Sequence, residues 1–198
     1  MANLYVFHQG AGNSGELWYS VFDGTNWARD TRVQNVGMSG SPSALFSVEP
    51  RPGIYVFHQG IRDSGELWYL YFDPRGIATD RPDTKIQNLG MSASPSAVDW
   101  PGLGGITVFH QDFGQHGQLW YSVFDGTNWA RDTRVQNVGM SGSPSAVPWQ
   151  GGITVFHQGF GNNGELWYTY SRDGINWGPD TPVQNVGISG SPSAVVYP

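Results

Sequence analysis

The segment from Trp18 to Ala44, WYSVFDGTNWARDTRVQNVGMSGSPSA, returns letter for letter at Trp120 to Ala146. Two looser copies run from Trp68 to Ala97 and from Trp167 to Ala194. Each copy belongs to a unit of about 50 residues, a period that is typical of propellers, solenoids and arrays. Nearly the whole chain therefore consists of four similar units, and the fold must follow from how these units pack.

The composition is typical of many short strands joined by tight turns. The 198 residues include 28 Gly and 13 Pro, and aromatic residues (14%) are as frequent as charged ones (13%). Gly and Pro supply the backbone angles of turns, and aromatic side chains suit the pleated surface of a sheet. No long helical periodicity interrupts this pattern, so we predict an all-β chain.

Charge and cysteine content exclude several classes of function. The formal net charge is −6, lysine occurs only at Lys85 and basic residues do not cluster, so we expect no nucleic-acid partner. The chain has no cysteine, hence no disulfide and no thiolate metal site. No apolar run approaches the ~20 residues that insert across a membrane. The opening MANLYVFHQG lacks a signal-peptide pattern, so we expect a cytoplasmic protein or one released without a cleaved signal peptide.

Each unit is predicted to contain four strands. In the first unit, Leu4–Gln9 and Glu16–Phe22 have strand composition, and Asp23-Gly24 after them is a strong hairpin signal. A third strand follows from Trp27 to about Val36. The Ser-Pro-Ser-Ala motif from Ser41 to Ala44 opens the next strand, a position where a sheet tolerates proline.

The two ends of the chain suggest a closed ring. The first unit lacks a Ser-Pro-Ser-Ala strand, and the segment Ser189 to Tyr197 is a spare one that could pair beside Leu4–Gln9 and remove exposed edges. A solenoid would need polar caps and is less favoured. We predict a four-bladed β-propeller with four-stranded antiparallel blades, closed by the C-terminal strand joining the N-terminal blade. The single domain spans 1–198, with repeats at about 1–40 plus 189–198, 41–92, 93–141 and 142–188.

A Glu-x-Trp or Gln-x-Trp pair opens the second strand of every unit. Strand alternation places the carboxylate or amide on the same face as the indole. A flat aromatic ring beside a fixed acceptor suits a sugar, whose C–H face stacks on the ring while its hydroxyls donate to the acceptor. The alternative is that the Trp fills space between blades and the Glu is solvated. The pairs are Glu16/Trp18, Glu66/Trp68, Gln118/Trp120 and Glu165/Trp167.

Two further repeated groups are candidates for the same site. Trp27, Trp129 and Trp177 follow an Asp-Gly-x-Asn turn and are expected near the surface, where they could form stacking platforms. Ala78 replaces this ring in the second unit, so we expect a weaker or missing site there. The Gln-Asn pairs could face a neighbouring site or tie down the linker, and we favour the second role. These pairs begin at Gln34, Gln87, Gln136 and Gln184.

One histidine recurs in every unit, at His8, His58, His110 and His157. A ring of imidazoles could hold a metal ion or haem, as in a hemopexin-like propeller. The Ser-Pro-Ser-Ala strand is expected to be innermost, so these histidines would lie too far from the axis to share one ion. We therefore favour a packed histidine that bonds to backbone or to a neighbouring side chain, and we predict neither a metal site nor a cofactor.

The repetition also argues against an enzyme. The Ser-Pro-Ser motif opens a strand and lacks the context of a nucleophile elbow. An enzyme usually assembles one asymmetric site from groups with different roles. The same polar set in every unit favours several equivalent binding sites, and hence avidity. We predict no catalytic residues and leave a glycosidase as a minor alternative.

The order of motifs in each unit, GGITVFHQG, GELWY, DG-x-NW and then VGMSGSPSA, resembles the blade of bacterial β-propeller lectins of the Photorhabdus fucose-lectin type. It is similar, more distantly, to tectonin and fungal fucose-lectin propellers. The resemblance implies sugar binding, often of fucose or methylated sugars, in pockets between or on blades. Those lectins have more blades than the four units of this chain.

We therefore predict a multivalent lectin with one sugar site per intact blade, whose partners are cell-surface or free glycans and which could form homo-oligomers. The two identical copies predict nearly identical sites around Trp18 and Trp120. The alternatives are a non-catalytic protein-interaction or toxin-associated propeller, and the haem-binding or metal-binding propeller described above.

Overall fold

The computed structural model describes residues 3–49, 51–73, 82–114 and 116–197, and its long elements are all strands. Short 3₁₀ turns at Ile61–Asp63 and Pro101–Leu103 interrupt the strand series. The strands are β1 (Leu4–Gln9), β2 (Glu16–Phe22), β3 (Thr31–Ser47), β4 (Gly53–Gly60), β5 (Glu66–Phe72), β6 (Thr84–Trp100), β7 (Gly105–Asp112), β8 (Gln118–Phe124), β9 (Thr133–Trp149), β10 (Gly152–Gly159), β11 (Glu165–Ser171) and β12 (Thr181–Gly187).

Three long strands connect one sheet to the next. β3, β6 and β9 each have 17 residues, and each pairs antiparallel with the preceding strand along its first part and with the following strand along its second. In β3 the ladder is interrupted between Ser39 and Ser43, where Gly40 has a φ of 69°. A left-handed backbone angle is natural for glycine, so the strand can turn here from one sheet into the next.

The result is a linear series of sheets. We call them sheets 1 to 4: β1, β2 and the first part of β3; the rest of β3 with β4, β5 and the first part of β6; the rest of β6 with β7, β8 and the first part of β9; and the rest of β9 with β10, β11 and β12. Neighbours in sequence are neighbours in space throughout, as in a meander.

Reciprocal hydrogen bonds connect the Ser-Pro-Ser-Ala segments of neighbouring sheets. The Ser94 backbone N–H donates to Ser143 Oγ at 2.9 Å, and the Ala146 N–H donates back to Ser96 Oγ at 3.0 Å. The same two bonds recur at the junction before and at the junction after this one. The repeated serines therefore have a structural role on the innermost strands.

The hydrophobic core lies between successive sheets. Phe57 on sheet 2 is fully buried and packs edge-on to Trp129 of sheet 3, with ring centroids 6.0 Å apart. Phe109 on sheet 3 packs in the same way against Trp177 of sheet 4 at 5.6 Å. Because each sheet covers the face of its neighbour, no unit buries its apolar surface alone, as expected for a repeat architecture.

The Asp-Gly hairpin turns behave as the sequence predicts. Asp125 Oδ1 accepts the backbone N–H groups of Thr127 and Asn128 at 2.8 and 2.7 Å. The N–H of Asn128, followed by that of Thr127, lowers the pKa of Asp125 below its ordinary value. The side chain thus satisfies the turn amides, which is the usual role of Asp at this position.

The predicted closed four-bladed ring is wrong. Among the described residues no strand pairs with the free edge of β1, and β1 and β12 are the two ends of the strand order. The segment Ser189–Tyr197 lies beside the second part of β9, where the Ala194 N–H donates to Ser145 Oγ at 2.9 Å. Tyr197 is 96% exposed. The C-terminal segment thus bonds to the preceding sheet instead of pairing beside β1, so the described strands do not close into a ring.

No helix in the described ranges is both long enough and apolar enough to cross a membrane.

Replacing Ser96 with Ala should destabilise the fold by about 1–2 kcal/mol, because the Ala146 N–H loses its acceptor at a partly buried junction. Ser189→Ala is the matched control, since the Ser189 side chain is exposed and has no hydrogen bond to any described residue. Urea midpoints of the two variants report the difference. Equal midpoints would contradict a stabilising role for these bonds.

Candidate functional site

A crevice lies at the junction of sheets 1 and 2. One wall is the stretch from Val33 to Gly37 of β3, and the other combines the loop from Gly60 to Ser64 with Glu66 and Trp68 of β5. The cavity between these walls measures about 480 Å³. Its size suits a small ligand, and an aromatic ring with nearby polar groups lines it.

The first wall exists because β3 bulges. Glu16 pairs with Gly37 and Trp18 with Arg32, so a short interval of β2 faces a longer one of β3. Asn35 stands in the bulge with a φ of 60°, a left-handed angle that Asn tolerates better than most residues. The same angle recurs at Asn88, Asn137 and Asn185.

The bulge turns its polar residues outward. Val33 and Val36 are buried, whereas Gln34 and Asn35 are exposed and line the crevice. These Gln-Asn pairs were expected to tie down the linker, but the structure brings Gln34 and Gln87 to the wall opposite the Trp of the next unit. The available signal was the break in strand alternation at Val-Gln-Asn-Val, since two buried valines flank two polar residues.

Glu66 and Trp68 form the second wall as a connected pair. Trp68 Nε1–H donates to Glu66 Oε2 at 3.1 Å, and Lys85 Nζ forms an ion pair with Glu66 Oε1. The bond from Lys85, followed by that from Trp68, lowers the pKa of the Glu66 carboxyl below its ordinary 4.5. The carboxylate therefore stays ionised and is held beside the indole.

A glycine leaves room for this indole. A Cβ at Gly60 would lie 2.9 Å from Trp68 Nε1, and one at Gly10 would lie 2.7 Å from Trp18 Nε1. Both distances are shorter than real contacts. The small residue at the end of β4 thus lets the Trp ring lie across the strand end.

A repeated cation that the sequence did not predict lies opposite three of the Trp residues. The cross-strand partners of Trp18, Trp68 and Trp120 are Arg32, Lys85 and Arg134. Arg32 Nη1 lies 2.9 Å from Glu16 Oε1, which repeats the Lys85–Glu66 ion pair. These cations lie on the strand that carries the bulge. The sequence spacing alone therefore does not show that they pair with the Trp. Pro182 occupies this position opposite Trp167.

An equivalent crevice, with a cavity of about 790 Å³, lies at the junction of sheets 2 and 3. Asn88 lines it from one side and Trp120 from the other. Asp112 takes the place of the glycine at the strand end, and Gln118 takes the place of Glu. Trp120 Nε1 is buried and has no hydrogen-bond partner among the described residues.

The expected similarity between the surroundings of Trp18 and Trp120 is therefore wrong. Trp18 Nε1–H donates to Glu16 at 3.3 Å, whereas the Trp120 N–H has no acceptor in the described chain. The physical reason is that Glu16 and Gln118 lie two residues before the indole, just outside the identical segments, and only Glu16 accepts from its Trp.

At the junction of sheets 3 and 4, the β10–β11 loop of sheet 4 contacts sheet 3. Asn162 N–H donates to Ser141 Oγ at 3.0 Å, which ties the β10–β11 loop to sheet 3. Glu165 Oε2 accepts from Trp167 Nε1 at 3.1 Å and from Asn163 Nδ2 at 2.9 Å.

The three turn tryptophans occupy different environments. Trp129 and Trp177 are wedged against the preceding sheet, as described for the core, although Trp129 also lines the crevice between sheets 2 and 3. Trp27 is 55% exposed and stacks on Phe22 at 5.1 Å. The prediction for Ala78 lies outside the described residues. Of the three rings, Trp27 is the most open to solvent.

A half-exposed apolar residue stands at the rim of each crevice and was also missed. Phe113 is 61% exposed and packs on Gly65 and Gly90 of the preceding sheet, and Phe160 is 60% exposed and packs on the equivalent glycines of its own neighbour. Ile61 has this position at the first junction. The sequence contained a signal for this residue, because an apolar side chain stands two positions after each His-Gln pair.

The repeated histidines are structural links within their own units. His110 is fully buried, with its Nδ1 3.1 Å from the Gln111 carbonyl oxygen and its Nε2 3.0 Å from Asp132 Oδ1, both at hydrogen-bond distance. His58 and His157 repeat this arrangement with Asp83 and Asp180. Because both ring nitrogens bond within the unit, this geometry supports the packed histidine over the haem or metal alternative.

His8 has the same partners but is exposed. The Gln9 carbonyl, and after it Asp30, raises the pKa of His8 above its ordinary 6.5. Within the described ranges, no group of three or more His, Cys, Asp or Glu side chains is arranged to hold a metal ion.

The sequence matches no protein-family model, and it matches no curated protein sequence. The fold, however, is that of known β-propellers. A crystal structure of the Aleuria aurantia lectin, described as a six-bladed β-propeller with a novel fucose recognition mode, superposes with a TM-score of 0.63 at 17% identity over 96% of this chain and 60% of that one.

Two other solved structures give similar matches. The SapL1 lectin in complex with α-methyl fucoside has a TM-score of 0.58 at 17% identity, covering 91% of this chain and 61% of that one. A mutant NanB sialidase from Streptococcus pneumoniae has a TM-score of 0.55 at 16% identity, covering 83% of this chain and 28% of that one.

The lectin matches complete the correction of the fold. The chain spans about 60% of the length of the Aleuria lectin, and its sheets follow an arc of a six-bladed ring. The all-β, propeller-like prediction is confirmed, whereas the four-bladed geometry is wrong.

Replacing Asp132 with Ala should destabilise the protein by about 1–3 kcal/mol, because the fully buried His110 loses its acceptor. Asp30→Ala, at the exposed His8 pair, is the matched control and should cost less than half as much. Thermal unfolding of both variants at one pH tests this difference. Equal losses would show that burial of the pair is unimportant.

Replacing Gly60 with Ala should displace the Trp68 indole and break its bond to Glu66, because the new Cβ would crowd the ring. Gly190→Ala is the control, since a Cβ there meets nothing within 4 Å. Indole N–H resonances in an NMR spectrum report on the ring. An unchanged Trp68 resonance in the Gly60 variant would contradict this assignment of the glycine.

Proposed function

We propose that the protein is a multivalent carbohydrate-binding protein whose sugar sites are the crevices between consecutive sheets. The observation that carries this proposal is the arrangement at the first junction, where Trp68 stands beside the ion pair of Glu66 and Lys85 and opposite Gln34 and Asn35. An aromatic face and a convergent set of donors and acceptors are thus present in one small cavity.

Each part of the crevice has a role in this proposal. The C–H face of a pyranose stacks on the Trp68 ring, which is a flat apolar surface. The Glu66 carboxylate accepts from ring hydroxyls, and its lowered pKa keeps it an acceptor at neutral pH. Lys85 donates to a hydroxyl or ring oxygen, and the amides of Gln34 and Asn35 do both. Charged partners strengthen these bonds relative to neutral ones.

In this proposal each sugar site lies at a junction between two sheets, whereas the sequence predicted one site per intact blade. Each crevice takes its Gln-Asn wall from one sheet and its Trp wall from the next. Repetition along the chain supports multivalent binding, and linked sites gain avidity without new contacts. No part of the proposal requires catalysis.

Fucose and methylated sugars are the first ligands to test. The sequence motifs resemble the Photorhabdus fucose-lectin type, and two matched structures are described as complexes with, or recognition of, fucose or a fucoside. Their identity to this chain is 17%, so they support the choice of probe and the propeller fold, whereas the crevice residues support sugar binding itself.

A glycan array followed by calorimetry tests the proposal. We expect the chain to bind at least one class of neutral glycan. Trp68→Ala should weaken binding at its own site by at least about tenfold, so that calorimetry counts one occupied site fewer. Trp149→Ala removes an exposed indole outside the junction crevices and is the matched control. Absence of binding to every glycan at high protein density would refute the proposal.

A further inference from the structure

At each junction the back face of one sheet packs on the front face of the next. At the junction of sheets 3 and 4, the front face of sheet 4 contributes Ile153 and Val155 to one buried cluster. The back face of sheet 3 contributes Phe109, Leu119, Val135, Val138 and Met140 to the same cluster. The internal junctions therefore show which side chains cover each kind of face.

The back face of sheet 4 has the same apolar character, but no described sheet covers it. Val186 is 39% exposed, whereas its counterpart Val138 is buried. Leu166 is partly exposed, and its counterpart Leu119 is fully buried. The remaining members of this face are also partly exposed: Phe156, Val183 and Ile188. Repeat arrays that stay alone cover their outer faces with polar residues, so this apolar face is typical of an interaction surface.

The front face of sheet 1 is open in the same way. Val6 is 41% exposed, whereas Val155 at the same position of sheet 4 is fully buried. Leu4 on the same face is 55% exposed. Strand β1 also has a free edge, since β2 is its only partner within the described chain. A free edge of this kind readily pairs with another chain.

An aromatic ring and its packing partner are also left apart. Trp129 packs edge-on to Phe57 of the preceding sheet. Trp27 has the same position in sheet 1, but it is 55% exposed because no described sheet precedes it. Phe156 on the back face of sheet 4 is the counterpart of Phe57, and no Trp of the described chain packs on it. The front face of sheet 1 thus carries the ring that the back face of sheet 4 lacks.

The segment Ser189–Tyr197 offers a partner for the free edge of β1. At internal junctions the Ala of the Ser-Pro-Ser-Ala motif pairs with the Val of the following strand, as Ala146 does with Val155. Ala194 has this Ala position and pairs with no strand in the described ranges, and Val195 beside it is 87% exposed. The register of the internal junctions would place Ala194 opposite Val6.

We propose that a second copy of the chain docks head to tail on this surface. The back face of sheet 4 and the segment Ser189–Tyr197 of one copy bind the front face of sheet 1 of the other. A second copy is the occupant because its Leu4, Val6 and Trp27 repeat the contacts of the internal junctions. Since the two surfaces differ, the contact is heterologous, and it either closes into a ring or continues as an open helical assembly.

Docking also completes a crevice whose walls come from two copies. Trp18 Nε1–H donates to Glu16, and Arg32 forms an ion pair with Glu16, as in the Trp wall of the first crevice. Gln184 and Asn185 are exposed on sheet 4, and Asn185 has the left-handed angle of the other Gln-Asn walls. Neither half faces a second wall within the described chain. Sugar binding in this shared crevice rests on the proposed function, whereas the docking does not.

Sedimentation velocity of the full chain without glycan tests the docking. We expect the average mass to rise above that of one chain as protein concentration is raised. Val186→Asp and Val6→Asp each place a charge on one of the two apolar surfaces, and each should weaken self-association by at least about tenfold. Val48→Asp makes the same change at an exposed loop position outside both surfaces and is the matched control.

A mixture of the two variants tests whether the contact is head to tail. The Val186→Asp chain keeps an intact front face of sheet 1, and the Val6→Asp chain keeps an intact back face of sheet 4. The mixture should therefore form pairs at a concentration where each variant alone is a monomer. A wild-type chain that stays monomeric at every concentration, or folded variants that do not pair when mixed, would overturn the inference.

The sugar measurement separates this inference from the proposed function. If glycans bind, calorimetry of the assembled protein should count one site fewer per lost junction for Val6→Asp than for Val48→Asp, and equal numbers would refute the shared crevice. Association without binding of any glycan supports the docking and refutes the proposed function. Glycan binding by a chain that stays monomeric refutes the docking, and the lectin proposal stands.

Discussion

The position of every crevice depends on the reciprocal bonds between the Ser-Pro-Ser-Ala segments. Two backbone N–H groups and two hydroxyl oxygens join each inner strand to the next, so successive sheets share one register. Because the wall formed by Asn88 and the wall formed by Trp120 belong to different sheets, a slip between sheets would separate them. A set of hydrogen bonds that recurs at each junction thus sets the geometry of the polar crevices.

The fold also separates residues that repeat for packing from residues that are free to vary. Phe57, Phe109 and the buried histidines hold the sheets and recur with little change. The side chains around the indole vary instead, as Gln118 and Pro182 do, because the crevice is open and a change there does not disturb the core. Variation at these few positions changes the polar lining of the crevices while the scaffold stays the same.

Strands, turns and the Glu-x-Trp pairs were predictable because each depends on residues close in sequence. Asp125 and its turn amides are three residues apart, and Glu66 and Trp68 are two apart on one strand face. The missed residues act across distance. Arg32 and Lys85 reach the pair only through a bulge that shifts the strand register, and Gln34 meets Trp68 only through the junction of two sheets. Spacing along a chain carries no information on either relation.

By itself the sequence determined that the chain is a repeated all-β array with one Glu-x-Trp or Gln-x-Trp pair per unit, since periodicity and alternation are local properties. Only the tertiary structure decided how far the array turns per unit and which units share a site. The predicted four-unit ring failed for this reason: contacts between sheets decide whether the C-terminal segment pairs beside β1 or bonds to the preceding sheet. Such contacts belong to packed surfaces, which the order of residues does not display.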